Sequence, residues 1–169
     1  QKGHAPESLY AVAPGKARIA THGNDVTIVG VSYMQLECLR AQRYLESVGV
    51  SAEVIDPIWL SPLDADTIAD SAKKTGHLLV VDNDWTMCGA SAEIVSQVIE
   101  KTQGDAAIRI KRMGFAPTSC PPTPVLENLF YPNGRTIAST AYDLVKGKAM
   151  NWTPDERADL KEIEFRGPF

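Results

Sequence analysis

Cysteine is scarce in this chain: Cys38, Cys88 and Cys120 are the only three in 169 residues, and they form neither an even set nor a CxxC or Cys/His metal spacing. A disulfide scaffold and a zinc module are thereby excluded, and reduced thiols are expected. Positive charge is also in short supply. Seventeen Lys and Arg against 21 Asp and Glu leave a formal net charge of -4, so there is no electrostatic footprint for nucleic acid or an anionic membrane. The basic pairs Lys73-Lys74 and Lys111-Arg112 are isolated and read as solvated surface. No apolar run approaches the ~20 residues that span a bilayer, and the opening "QKGHAPESLY" lacks the apolar segment of a signal peptide. A soluble, cytoplasmic protein is the expectation. An initiator methionine is missing as well, and Gln1 reads as the start of a fragment or a processed chain.

What is present suits one globular domain, with 44% hydrophobic and 22% charged residues and no internal repeat. Residues 1–14 carry Gly3, Pro6 and Pro14 with no apolar period and read as a linker arm. "ARIAT" (17–21) and "VTIVGV" (26–31) flank the turn-rich "HGND", which predicts an antiparallel hairpin at the start of the fold. From Met34 the spacing becomes helical through Cys38, Ala41, Leu45 and Val48, with Gly49 placed to stop it. This puts Cys38 in the core.

"AEVI" (52–55) predicts a strand, and the helix after it has either Ser61 or Asp64 as its cap and Gly76 as its end. "HLLVVD" (77–82) is the near-continuous apolar run of a strand buried on both faces. A helix through Ser91, Ile94, Val95, Val98 and Ile99, a strand over 107–112 and a helix through Ile137, Ala138, Ala141, Leu144 and Val145 follow. Strands alternating with helices imply a mostly parallel sheet covered on both faces. Between the last strand and helix, four prolines between Pro117 and Pro124 forbid regular structure, while Phe115, Leu129, Phe130 and Tyr131 are too apolar for disorder, so either an ordered loop or a docking surface is expected. Residues 147–169 form an extension in which "TPDE" (153–156) is a capping box for a short helix.

The stretch "DNDWTMCGASAEI" (82–94) gathers the residues that chemistry would use. Cys88 beside Gly89 at a helix N-terminus has the setting of a lowered thiol pKa, but a nucleophile also needs an oriented base. His77 opens the preceding strand and belongs at the opposite edge of the sheet, and His4 and His22 lie in the arm and the turn. Asp82, Asp84 and Glu93 suggest paired carboxylates or a metal site, against which stands the ordinary use of acids at a helix start. "CGASA" has neither the spaced glycines of a dinucleotide fold nor the Gly-Lys-Ser/Thr ending of a phosphate loop. Trp59 and Trp85 line either a pocket or a subunit contact, or pack on the neighbouring helix.

Taken in order, "GKARIATHGNDVTIVGVSYM", "AEVIDPIWLSPLDADTIADSAKKTGHLLVVD", "GASAEI" and "PPTPVLENLFYPN" resemble the C-terminal domain of the transketolase-like superfamily. Within it they are most similar to the beta subunit of the thiamine diphosphate-dependent first component of 2-oxoacid dehydrogenase complexes. The resemblance runs from about Pro6 to Val145. It departs from the family at Asn83, where an acid is common, and at "GASAEI", where "GFGAEI" is usual.

The resemblance implies a three-layer α/β/α domain over residues 15–146, with a five-stranded mixed sheet and one antiparallel edge strand. It implies an assembly domain without catalytic, cofactor or metal residues of its own. Thiamine diphosphate and magnesium would belong to the complete enzyme. A homodimer is expected, together with an alpha subunit or N-terminal catalytic domain and an acyltransferase core as partners. The contacts expected on that reading are Trp85, Met87, Cys88, Glu93, Phe115, Phe130 and Tyr131. Two rivals stand beside it. One is a stand-alone small-ligand or nucleotide-binding domain with Asp56, Asp82, Trp85 and Cys88 lining the crevice beyond the strand ends; the other is a thiol enzyme using Cys88.

Overall fold

Alternation along the strands decides the architecture. In β2 (Val26–Gly30) Val26 and Ile28 pack to one side of the sheet and Val29 to the other; in β4 (His77–Trp85) Leu79 and Val81 oppose Leu78 and Val80. Successive strand side chains point to opposite faces, so an unbroken apolar run demands cover on both. The computed structural model, which describes residues 11–103, 107–148 and 151–155, has that cover. Helices α1 (Met34–Glu46) and α5 (Gly134–Lys146) lie on one face, and α2 (Ala65–Thr75) and α3 (Ala90–Thr102) on the other. Fully buried Ile28, Leu78 and Leu79 each contribute roughly 1.5–3 kcal/mol from apolar burial.

With β1 (Arg18–Thr21), β3 (Ala52–Asp56) and β5 (Arg109–Phe115), the strand order is β1-β3-β2-β4-β5. All neighbours are parallel except β1 and β3, so the expected five-stranded sheet with one antiparallel edge strand is present. The expected hairpin is not. β1 pairs with β3, through Arg18 opposite Asp56 and Ile19 opposite Ile55, because both edges of β2 are occupied by β3 and β4. "HGND" therefore carries the chain past the start of β3 instead of folding it back. Gly23 lies so close there that a Cβ would sit 2.3 Å from the Ala52 carbonyl carbon, and Ser51 and Asp25 lock the crossing with bonds of 2.9 and 2.7 Å. The outer strand β5 keeps Arg109, Lys111 and Arg112 exposed, charges that discourage pairing with another chain's strand.

Helix ends follow the sequence signals with three differences. Asp64 rather than Ser61 caps α2, accepting the Thr67 N–H at 3.3 Å, and Gly76 ends the helix at φ +71°. Cys38 is fully buried, and burial, reinforced by the charge of Glu37, pushes its thiol pKa far up. Val48 lies beyond the end of α1 and is 37% exposed, not in the core. The proline-rich stretch is irregular only as far as Thr123. Pro124 takes the first position of a short helix, α4 (Pro124–Phe130), where a missing N–H leaves nothing unsatisfied. Thr153–Asp155 have no regular structure, and the rest of the expected terminal helix lies outside the described residues, as do the arm residues 1–10.

A buried polar network closes the amino edge on the α2 face. Thr27 bonds Ser71 at 2.7 Å and Thr75 at 2.8 Å, and the neighbouring Glu53, with a side chain only 2% exposed, pairs with Lys74 and lies 3.6 Å from His22. Burial works to raise the Glu53 pKa, but Lys74, the Ser71 hydroxyl and the Gly23 N–H outweigh it and hold the carboxyl below its ordinary value. Asp64 is held low in the same sense, where the N–H groups of Ala17 and Thr67, the Thr67 hydroxyl and Lys16 overcome burial. A carboxylate with a depressed folded pKa contributes stability that is complete above its unfolded value of roughly 4 and is lost as pH falls through the folded value. The urea midpoint is therefore expected to hold steady from pH 7 to 5 and to drop below pH 4. Glu53→Gln should flatten that drop; an equally steep fall in the variant would remove Glu53 from the account.

Candidate subunit interface at the carboxyl edge of the sheet

The ends of β4 and β5 carry the aromatic residues singled out by sequence. After a register shift beyond Val81, Trp85 comes opposite Phe115, and α4 returns Phe130 and Tyr131 to the same place. Ring centroids lie 5.7 Å apart for Trp85 and Phe115, 5.1 Å for Phe115 and Phe130, and 4.9 Å for Phe130 and Tyr131. The first and last of these pairs meet edge-to-face, an arrangement worth ~0.5–1.5 kcal/mol beyond the buried area, and the middle pair is tilted at 35°. Hydrogen bonds to main-chain carbonyls tie the cluster together: the Trp85 indole N–H donates to the Ala116 carbonyl at 3.0 Å, the Ala116 N–H to that of Phe130 at 2.9 Å, and the Arg112 guanidinium to that of Thr86 at 2.7 Å. Gly114 permits the close approach, since a Cβ would sit 2.3 Å from the Asp84 oxygen.

These elements frame an open, largely apolar groove of about 820 Å³. Trp85, Met87, Phe115, Phe130 and Tyr131 line it, joined by Thr86 and the loop Pro117–Cys120. Met87 is 83% exposed, and Leu129, next to Phe130, is 77% exposed. Cys120 Sγ lies 3.6 Å from the Tyr131 hydroxyl; that bond, with burial and the nearby Cys120 and Glu127, pushes the phenol pKa up to about 12. Tyr131 therefore stays neutral, and the groove lining contains no Asp, Glu, Lys, Arg or His.

Two of the seven expected contacts are not in this groove. Cys88 follows Met87 in a left-handed turn at φ +60° and is exposed outside the lining. Glu93 stands on the first turn of α3 and accepts from Gln97 at 2.8 Å. Sequence reasoning offers the Pro117–Tyr131 loop as a contact without singling out Cys120, because nothing in a proline-rich loop says which side chain turns inward. Trp59 lies on the loop after β3, 37% exposed and away from the groove lining.

The chemical readings of this stretch lose their parts. Asp82 is 2% exposed and spends Oδ2 on the Ser91 N–H at 2.6 Å, capping α3 from the neighbouring strand. Asp84 turns back on the Trp85 N–H at 2.7 Å. His77 bonds the Asp25 carbonyl at the start of β4, roughly 25 Å from the strand end that precedes Cys88. Among the described residues no three His, Cys, Asp or Glu converge as metal ligands, and no helix is long and apolar enough to cross a membrane. The described part of the extension packs back on α5: Trp152 stacks on Tyr142 at 4.7 Å, and Arg135 donates to the Pro154 carbonyl at 2.9 Å.

Residues 15–137 match the family described as transketolase, C-terminal domain. The beta subunit of acetoin:2,6-dichlorophenolindophenol oxidoreductase from Bacillus subtilis is 37% identical over 150 residues, covering 89% of this chain and 44% of that protein. Its counterpart from Cupriavidus necator is 36% identical over 146 residues, 86% of this chain and 43% of that protein. The mitochondrial pyruvate dehydrogenase E1 component subunit beta of Dictyostelium discoideum is 36% identical over 132 residues, 78% and 37% of the two chains. The chain thus spans less than half the length of these curated relatives. In fold it is similar to a split-gene transketolase solved as an inactive beta4 tetramer, with a TM-score of 0.69 at 23% identity over 86% of this chain and 45% of that one.

Proposed function

Since this chain belongs to the transketolase C-terminal domain family, we propose that it is the assembly domain of a thiamine diphosphate-dependent 2-oxoacid dehydrogenase or acetoin-oxidising beta subunit. Residues 15–146 form the domain and 147–169 an extension of it. The observation that carries this reading is the uncharged aromatic groove with Met87 and Leu129 standing exposed beside it, an apolar feature of the sort that marks a protein contact. The relatives named as beta subunits support it. The partners are a second copy, an alpha subunit or catalytic domain, and the acyltransferase core, and the setting is the cytoplasm.

On this reading the cofactor is not held here, because the described residues do not fit it. A magnesium-bound diphosphate needs convergent oxygen ligands. Asp82 is committed to Ser91, Asp56 to Ile58 and Arg18, and no other acidic cluster converges among the described residues. Thiamine chemistry is accordingly assigned to the part of the enzyme outside this domain, and the contribution here is to hold subunits in place. Sedimentation equilibrium of the purified chain, run beside calorimetric titration with thiamine diphosphate and magnesium, tests both halves. A dimer giving no heat of binding is expected. Tight cofactor binding, or binding from a nucleotide panel, would return the carboxyl edge to the ligand-site reading, and a monomer at 100 μM, roughly 5.5 kcal/mol of association by the affinity scale, would remove the dimer.

A further inference from the structure

The carboxyl edge holds a second apolar feature, separate from the groove. Ile58, Trp59 and Leu60 follow β3 in unbroken succession and are 42%, 37% and 49% exposed, and none of them lines the groove. Single exposed apolar residues are ordinary, but a run of three is not. The backbone is also held so as to present them. Asp56 accepts the Ile58 N–H at 3.0 Å with one carboxylate oxygen and Arg18 at 3.0 Å with the other, and the Pro57 carbonyl accepts the Trp59 N–H. Ile58 sits at φ +57°, a left-handed conformation that a β-branched residue adopts only against steric resistance. Such strain persists where the surroundings over-determine it, and it concentrates at functional sites.

The path of the chain indicates what covers this loop. The Ala17 N–H donates to Asp64 at 3.1 Å, and Gly15, at φ +69°, lies against Pro62, whose Cγ would be 3.1 Å from an added Cβ. The stretch leading into β1 therefore runs along the residues that follow Leu60. In the relatives more than half of the protein lies outside the match, and the matched family is by its description a C-terminal domain, so the additional mass precedes this point. We propose that Ile58, Trp59 and Leu60 form a docking knob for the domain that precedes this one in longer beta subunits, received there by an apolar pocket beside the Arg18–Asp56 ion pair. The proposal rests on the reading of this chain as the second domain of a beta subunit but is independent of the groove.

The test is a chimera in which this chain replaces the matching segment of the Bacillus subtilis beta subunit. The parent chimera should unfold in one calorimetric transition and resist cleavage within residues 11–14. Trp59→Ser with Leu60→Ser should split the transition in two and speed that cleavage by about 10-fold, since cleavage follows the open population. Ile58→Gly is the second variant, because it relieves the left-handed conformation while deleting part of the knob: the isolated chain should melt no lower than the parent, yet the chimera should still uncouple. A parent chimera that already unfolds in two steps, or variants that keep one transition and the parent cleavage rate, would overturn the proposal. Failure of the assembly reading shows elsewhere, as unchanged sedimentation of groove variants in the same chimera.

Discussion

Glu37→Ala is expected to lower the unfolding free energy by ~3–5 kcal/mol, the loss typical when one partner of a buried ion pair is removed. The Glu37 side chain is only 4% exposed on α1, and its ion-pair partner Arg40 is 13% exposed. Its other oxygen accepts the Gly134 N–H at 2.9 Å, one of the first-turn donors of α5 that no carbonyl within the helix can satisfy. Gly134 itself presses against α1, where a Cβ would come within 2.8 Å of the Arg40 Cβ. The substitution therefore strands a guanidinium and a backbone N–H at the contact that fastens α5 to α1. Glu37→Gln keeps an acceptor for Gly134 and should lose roughly half as much, in line with the smaller worth of a neutral hydrogen bond. Urea unfolding followed by circular dichroism measures both. A loss below 1 kcal/mol for Glu37→Ala would mean that water reaches this contact.

The second large effect concerns association. Met87→Glu and Leu129→Glu should each weaken self-association about 30-fold, the equivalent of ~2 kcal/mol for a hot-spot residue replaced by an unpartnered charge. Both side chains are more than three-quarters exposed in the single chain, so the folded monomer has little to lose. Ile99→Glu, at a 48% exposed position on α3, is the control and should leave the sedimentation profile as it was. Cys120 offers an independent readout. It lines the groove, and its alkylation should slow as the protein concentration passes through the dimer range. Variants that sediment like the parent would move the interface away from this groove, whereas a change in Ile99→Glu would point to a contact across α3.

Much of the fold was legible because burial on both faces leaves a plain trace. "HLLVVD" and "VTIVGV" are apolar at nearly every position, and only strands covered by helices on both sides tolerate that. Helix α2 was bounded by chemistry local to it, an aspartate that caps and a glycine that ends it. The opening hairpin was misjudged for a reason of the opposite kind. "HGND" carries the residues of a tight turn, but a turn signal does not say which strand edge is free, and β2 had none.

The site divides in the same way. Trp85, Phe115, Phe130 and Tyr131 were identifiable as apolar residues at strand and helix ends, and the order of motifs identified the family. Local sequence thus determined the strands, the helices, the caps and the kind of surface that the chain carries, since each depends on residues a few positions apart. Only the tertiary structure decided that β1 joins β3, that Asp82 is spent on Ser91 while Glu93 lies apart, and that Cys120 turns toward Tyr131. Each of those depends on which edges and faces remain open once the sheet has formed, a competition among distant segments that no short stretch records.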